Sequence, residues 1–184
     1  PRVILGSPVA GIAANEIVDG TPAVREILEN YIGTPEFSNL PRKFKTAISG
    51  SPNLDVAHEA NDVSFVGVIH PEHGPGFDVW AAGGLSTNPM FAQRLGAWVP
   101  LEEIPEVWKG VVSIFRDYGY RRLRNRARLK FLMADWGPEK FRQVLETEYL
   151  GRRLIDGPPQ EAAHLRRDHV GVNAQADGNF WVGV

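Results

Sequence analysis

The sequence contains no cysteine. Disulfide bonds are therefore excluded, and this chain alone cannot bind a metal ion or an iron–sulfur cluster through thiolates. It also lacks a run of about 18 apolar residues, so we expect no membrane-spanning helix. Neither sign of charge is in large excess, because the formal net charge is −2 at pH 7. This balance gives no general attraction to nucleic acid or to a membrane surface, and the absence of cysteine is compatible with a cytoplasmic location.

The composition is that of a globular protein. The 184 residues are 43% hydrophobic and 23% charged, which suffices for one domain with a hydrophobic core. Pro1 is not a methionine, and the last residues form a hairpin pattern too short to bury itself. From both ends together we expect a fragment of a longer polypeptide.

Local patterns predict a mixture of helices and strands. Thr21 followed by Pro22 is typical of a helix start, with the Thr21 hydroxyl as N-cap, and this helix should run to about Tyr31. Gly137 and Pro138 should separate two later helices. The other predicted elements are strands at 44–49, 62–70 and 77–84, helices at about 104–118 and 120–137, and a C-terminal hairpin with its turn at 177–179.

Two lysines lie two residues apart in the first of these strands. On an extended chain Lys43 and Lys45 emerge on one face, while Phe44 points to the other. Arg42 adds a third cation, and no acid lies between Ser38 and Asn53. A solvated strand face would explain an ordinary pair of this kind. Crowded cations also suit an anion site, where a lysine can both bind an oxyanion and donate a proton.

A second cationic segment runs from Arg116 to Lys130, with seven Lys or Arg residues and one acid. If it is helical, Arg124 and Arg128 share a face. That face would suit a polycarboxylate, because a guanidinium matches a carboxylate. An exposed helix face and a nucleic-acid-binding helix are the alternatives.

Two further patterns are weak. The sequence GGLSTNP, with Gly83, Gly84 and Ser86, could bring backbone amides close to a ligand, although such a turn is common. His70 and His73 have a spacing seen in metal sites, but no third ligand accompanies them, so we predict no metal site.

Five segments together resemble a known family. They are NLPRKFKTAISG, AHEANDVSFVGV, GFDVWAAGGLS, GAWVPLEEIPEV and FRDYGYRRLRNRARLKFL. In this order and spacing they resemble the sirohaem-binding domain of assimilatory sulfite and nitrite reductases, in particular the ferredoxin-dependent actinobacterial sulfite reductases. The resemblance implies an α+β fold: a mixed sheet packed with helices, followed by a short C-terminal β segment. It also implies a sirohaem-binding and oxyanion-binding domain at 1–155, a linker at 156–168, and the start of a truncated ferredoxin-like half-domain at 169–184.

The resemblance assigns roles to individual residues. Lys43, Lys45 and Arg2 would bind the substrate anion, which is sulfite or nitrite. The cofactor-binding residues implied by the resemblance are Arg42, Arg124, Arg128, Gly83, Gly84, Ser86 and Asn61.

The resemblance implies a sirohaem coupled to a [4Fe–4S] cluster, with ferredoxin as the electron donor of a six-electron reduction. The family's cluster cysteines lie in a part absent from this chain. We therefore expect the isolated chain to bind no cofactor and to be inactive without the other domains of the polypeptide. Nitrite reductase is the nearest alternative to sulfite reductase, and a non-catalytic nucleic-acid-binding module using residues 116–130 is the alternative from another class.

Overall fold

A six-stranded mixed sheet forms the centre of the molecule. A computed structural model describes residues 1, 3–161 and 168–184. The sheet has the order β1-β2-β3-β4-β5-β6. Its strands are β1 (Val3–Gly6), β2 (Lys45–Ser49), β3 (Val63–His70), β4 (Gly74–Ala81), β5 (Gln93–Val99) and β6 (Ile155–Asp156). The first three strands are parallel and the later pairs are antiparallel, so the predicted mixed sheet is confirmed.

Helices cover one face of this sheet. They are α1 (Thr21–Asn30), α2 (Pro35–Ser38), α3 (Ile104–Tyr118) and α4 (Leu129–Val144), which continues as a π-helical turn at Leu145–Leu150. The centre of the core is Trp108 of α3, whose ring lies 6.4 Å from that of Phe44. The Trp108 indole N–H donates to Thr46 Oγ1 at 2.8 Å. Residues 44, 46 and 48 therefore face α3, and the alternate residues of this segment face away from the helices.

The helix boundaries agree with the sequence in part. Helix α1 begins at Thr21 as expected, but its N-cap is Gly20, and the Thr21 amide donates to the Asp19 carboxylate at 2.8 Å. The predicted Thr21 cap is therefore wrong. The predicted separation at Gly137 is confirmed, because Gly137 has φ 78° and ψ 163° and divides α4 into two helical segments.

The predicted basic helix at 120–137 is wrong over its first half. Residues 120–128 are irregular apart from one short 3₁₀ helix (Arg124–Arg126), and α4 begins only at Leu129. Tertiary contacts hold this segment instead, since Arg121 donates to the Asn39 carbonyl at 2.7 Å and Arg42 donates to the Arg124 carbonyl at 3.2 Å. Arg124 and Arg128 therefore share no helix face, and the nucleic-acid alternative loses the helix on which it depended.

Strand β5 has no counterpart in the sequence predictions. Its Gly96 has φ 66°, and its register with β4 shifts between Asp78 and Trp80, so the strand lacks a regular alternation. Irregular strands of this kind leave little periodic signal.

The C-terminal residues form the predicted hairpin of β7 (Gly171–Ala174) and β8 (Phe180–Gly183). It docks on the N-terminal segment through a bridge between Ala13 and Gln175, and the His169 ring lies 3.0 Å from the Asp55 carboxylate. The mixed sheet, its helices and this terminal strand pair confirm the α+β class. The division at 155 and 169 stays a prediction.

Candidate functional site

Lys45 is the first residue of β2, and Lys43 lies two residues before it. Lys43 is exposed and Lys45 is half-buried, whereas Phe44 is fully buried between them. The Lys45 ammonium donates to the Ala60 carbonyl at 2.7 Å. Burial lowers the pKa of Lys45; the neighbouring charges of Arg128 and Lys43 lower it further, while Asp62 opposes them. The burial of Phe44 between two more exposed lysines agrees with the predicted alternation. Because of its lowered pKa, Lys45 releases a proton more readily than an ordinary lysine.

Asp62, the residue before β3, fixes the backbone at Lys45. The Asp62 carboxylate accepts the Lys45 amide at 2.9 Å, and the Asp62 amide donates to the Lys45 carbonyl at 2.9 Å. The carboxylate is fully buried, and burial raises its pKa while Arg128 opposes the shift. A reciprocal pair of this kind holds the lysine at one position relative to the sheet.

Arg128 is the counter-ion of Asp62. Its Nη2 lies 2.9 and 3.0 Å from the two carboxylate oxygens, and its Nε lies 3.3 Å from one of them. Only 4% of Arg128 is exposed. The sequence predicted a cofactor carboxylate as its partner; in the structure this guanidinium pairs with Asp62 at the base of the site.

The Gly83-Gly84 turn packs beside this ion pair. The Gly83 amide donates to the Asn61 carbonyl at 2.7 Å, and a Cβ on Gly83 would lie 2.1 Å from the Glu59 carbonyl oxygen. Only glycine fits this approach. A Cβ on Gly84 would lie 3.2 Å from Arg128 Nη2, so the turn and the ion pair are in direct contact.

Lys130 is a member of the site that the sequence analysis missed. It is 1% exposed, and its ammonium donates to Gly84 O at 3.2 Å, to Ser86 Oγ at 3.0 Å and to the Asn88 carbonyl. The one available signal was its position within the apolar sequence LKFLM, where a lysine must find buried partners.

Asn61, the floor of the site, contacts the glycine turn, because its carbonyl accepts a hydrogen bond from the Gly83 amide. Its side-chain amide donates to the Ala57 carbonyl at 2.7 Å. Its Oδ1 is buried and has no hydrogen-bond partner among residues 1, 3–161 and 168–184. Such an orphaned acceptor is unusual and marks a position at which an added donor would be stabilised.

Arg42, Lys43 and Arg124 form an exposed cationic rim beside this floor. The Arg42 guanidinium donates to the Arg124 carbonyl, which brings the two segments together. Arg2, the third predicted substrate ligand, lies outside the described residues. Ser86 is exposed on the turn that Gly83 and Gly84 begin.

The region is electropositive. Its cations are Arg42, Lys43, Lys45, Arg124, Arg128 and Lys130. Within the described part of the chain, Asp62 is the one carboxylate that forms an ion pair with any of them. An anion bound at the rim would therefore meet three exposed cations that form no ion pair with a carboxylate of the described residues.

The donor set determines which cofactors the region fits. Exposed guanidinium and ammonium groups beside a glycine turn fit a group that carries several carboxylates. The same region cannot ligate an iron–sulfur cluster, because the chain contains no cysteine. No cluster of His, Asp or Glu placed to hold a metal occurs in the described residues, and none of their helices could cross a membrane.

Comparisons with known proteins identify the family. Residues 1–154 match the family model described as the nitrite and sulphite reductase 4Fe-4S domain. The chain belongs to this family.

Family members with curated names cover both reductases. The chain is 65% identical over 184 residues to "Sulfite reductase [ferredoxin] 2" of Mycolicibacterium paratuberculosis, covering 100% of this chain and 33% of that protein. It is 37% identical over 180 residues to the "Ferredoxin--nitrite reductase" of Leptolyngbya laminosa, covering 95% and 35%.

A solved structure of the family has the same fold. The chain superposes on the Mycobacterium tuberculosis NirA protein with a TM-score of 0.95 and 64% identity, covering 99% of this chain and 33% of that one. The chain thus spans about a third of the length of the relatives it matches. The resemblance stated from the sequence is confirmed.

Proposed function

We propose that this chain is part of a ferredoxin-dependent sulfite reductase and supplies the cationic wall of its sirohaem and substrate site. The observation that carries the proposal is the pair Lys43 and Lys45, which flank the buried Phe44 and form no ion pair with a carboxylate of the described residues. The 65% identity to a ferredoxin sulfite reductase supports it, as does the lower identity to nitrite reductases.

The two lysines have different parts in this proposal. Lys43 is exposed and attracts the anion, together with Arg2. Lys45 is anchored by Ala60 and Asp62 and donates protons to the leaving oxygen, because its lowered pKa makes it a better acid than an ordinary lysine. Both cations also stabilise negative charge as it develops on the substrate.

The rim residues hold the cofactor in this proposal. Arg42 and Arg124 bind carboxylates of sirohaem, and the turn of Gly83, Gly84 and Ser86 packs beside it, over Asn61. Arg128 pairs with the Asp62 carboxylate beneath the rim, rather than with a carboxylate of sirohaem. When bound, sirohaem and a [4Fe–4S] cluster supply the electron transfer. The thiolates of that cluster come from outside this chain, which has no cysteine.

Purification of the full-length protein tests the proposal. We expect a Soret band, and sulfide production from sulfite with reduced ferredoxin. The 184-residue chain alone should show neither. A full-length protein without a Soret band, or one that produces no sulfide, would contradict the proposal. If nitrite is reduced with a much higher kcat/KM than sulfite, the nitrite reductase alternative is correct instead.

A further inference from the structure

Lys130 connects the turn at residues 84–90 to the rest of the protein. Residues 85–89 are exposed, and in the described part of the chain their hydrogen bonds to other segments all come from the Lys130 ammonium. The base of the turn is closed by Gly84 and Met90, whose amides donate to each other's carbonyls at 2.8 and 3.0 Å. Without Lys130 the turn would be tied to the protein only at this base.

The chemistry of Lys130 is unusual for a buried lysine. No carboxylate forms an ion pair with it among the described residues, and its three partners are neutral oxygens of the turn. Burying a charge without a counter-ion costs free energy. A buried ammonium of this kind is therefore expected where its hydrogen bonds hold a particular local structure in place. Burial lowers the pKa of Lys130 and the adjacent Arg128 lowers it further, while the Asp62 charge opposes the shift in part.

We propose that Lys130 is the positioning residue of the site: its ammonium fixes the Gly84–Asn88 turn against the Asp62–Arg128 ion pair. The inference rests on the proposed function for one part only, namely that this turn packs beside the cofactor. The positioning itself depends on the contacts above. Fixing the turn also fixes the side chains that it exposes, among them Leu85, which is 58% exposed.

Amide hydrogen exchange in the full-length protein tests the positioning. Lys130→Met keeps an unbranched side chain only one atom shorter than lysine and removes all three donated bonds. We expect the peptide covering 83–91 to exchange at least about tenfold faster, while β3 (Val63–His70) keeps its wild-type rate. Lys140→Met is the matched control, because Lys140 is exposed and lies over the Trp136 ring; it should change neither peptide.

A second variant keeps the test decisive if Lys130→Met unfolds the protein. Ser86→Ala removes one of the three acceptors at an exposed position, so folding should be preserved. We expect exchange at 83–91 to rise by roughly threefold. Wild-type exchange at 83–91 in Ser86→Ala together with a global rise in Lys130→Met, or wild-type exchange in both variants, would overturn the proposal.

The Soret absorbance per folded protein separates this inference from the proposed function. If Lys130 positions a turn that contacts sirohaem, Lys130→Met should lose at least half of the bound sirohaem, and Lys140→Met should lose none. If exchange rises in Lys130→Met but the wild-type protein has no Soret band, the positioning stands and the proposed function fails. If exchange rises and sirohaem content is unchanged, the turn does not contact the cofactor, and that part of the inference is overturned.

Discussion

At the scale of single residues, strand alternation allowed the positions of Lys43, Phe44 and Lys45 to be predicted. A side-chain period of two requires only local sequence, and the buried Phe44 confirms it. The pairing of Asp62 with Arg128 could not be predicted, because the two residues are 66 positions apart. The resemblance identified Arg128 as a cation of the site but not the carboxylate that compensates it.

The Asp62–Arg128 pair should be essential for stability. Asp62→Asn leaves the Arg128 guanidinium buried without a counter-ion, so we expect the free energy of unfolding to fall by about 3–5 kcal/mol. Urea denaturation of the 184-residue chain measures this change.

An exposed ion pair provides the control for this prediction. Arg116 Nη1 lies 3.8 Å from Glu36 Oε1, and 66% of the Glu36 side chain is exposed. Glu36→Gln should therefore cost less than about 1 kcal/mol. Equal losses in the two variants would mean that burial does not determine the contribution of Asp62.

At the scale of elements, glycine and proline predicted a helix boundary correctly, whereas the cationic segment was wrongly predicted to be helical. Gly137 followed by Pro138 predicted the break in α4 because both residues restrict the backbone directly. The cationic segment at 120–128 contains good helix formers. Hydrogen bonds of Arg121 and Arg42 to distant carbonyls nevertheless hold it in a mostly non-helical conformation. Helix propensity is a weak preference that tertiary contacts of this kind override.

A side chain at Gly137 should destabilise the protein through backbone strain and not through a steric clash. A Cβ there would meet no atom within 4 Å, but φ 78° with ψ 163° is a conformation essentially restricted to glycine. Gly137→Ala should lower the free energy of unfolding by about 1–3 kcal/mol, as measured by urea denaturation.

Gly151 is the matched comparison for Gly137. It also has open space around its Cβ position, and its φ 65° and ψ 14° lie in the left-handed region that other residues can enter at a cost of roughly 1 kcal/mol. Gly151→Ala should therefore cost less than Gly137→Ala. The reverse order would contradict the assignment of the larger strain to Gly137.

At the scale of the whole molecule, the sequence predicted the α+β class, the family and the C-terminal hairpin. It did not predict how the hairpin docks, because the bridge between Ala13 and Gln175 joins opposite ends of the chain. It also did not predict that the site would be built in two levels. The buried level of Asp62, Arg128 and Lys130 holds the turn and β2, and the exposed level carries Arg42, Lys43 and Arg124.

Sulfite titration of the full-length enzyme, followed by the change in its sirohaem absorbance, most directly tests the claim that the exposed cations bind the substrate anion. Lys43→Met removes one exposed cation and no hydrogen bond or ion pair of the described residues, so we expect the Kd for sulfite to rise at least about tenfold, or about 1.4 kcal/mol. Lys140→Met should leave the Kd unchanged. A Lys43→Met enzyme that binds sulfite with the wild-type Kd would contradict the account.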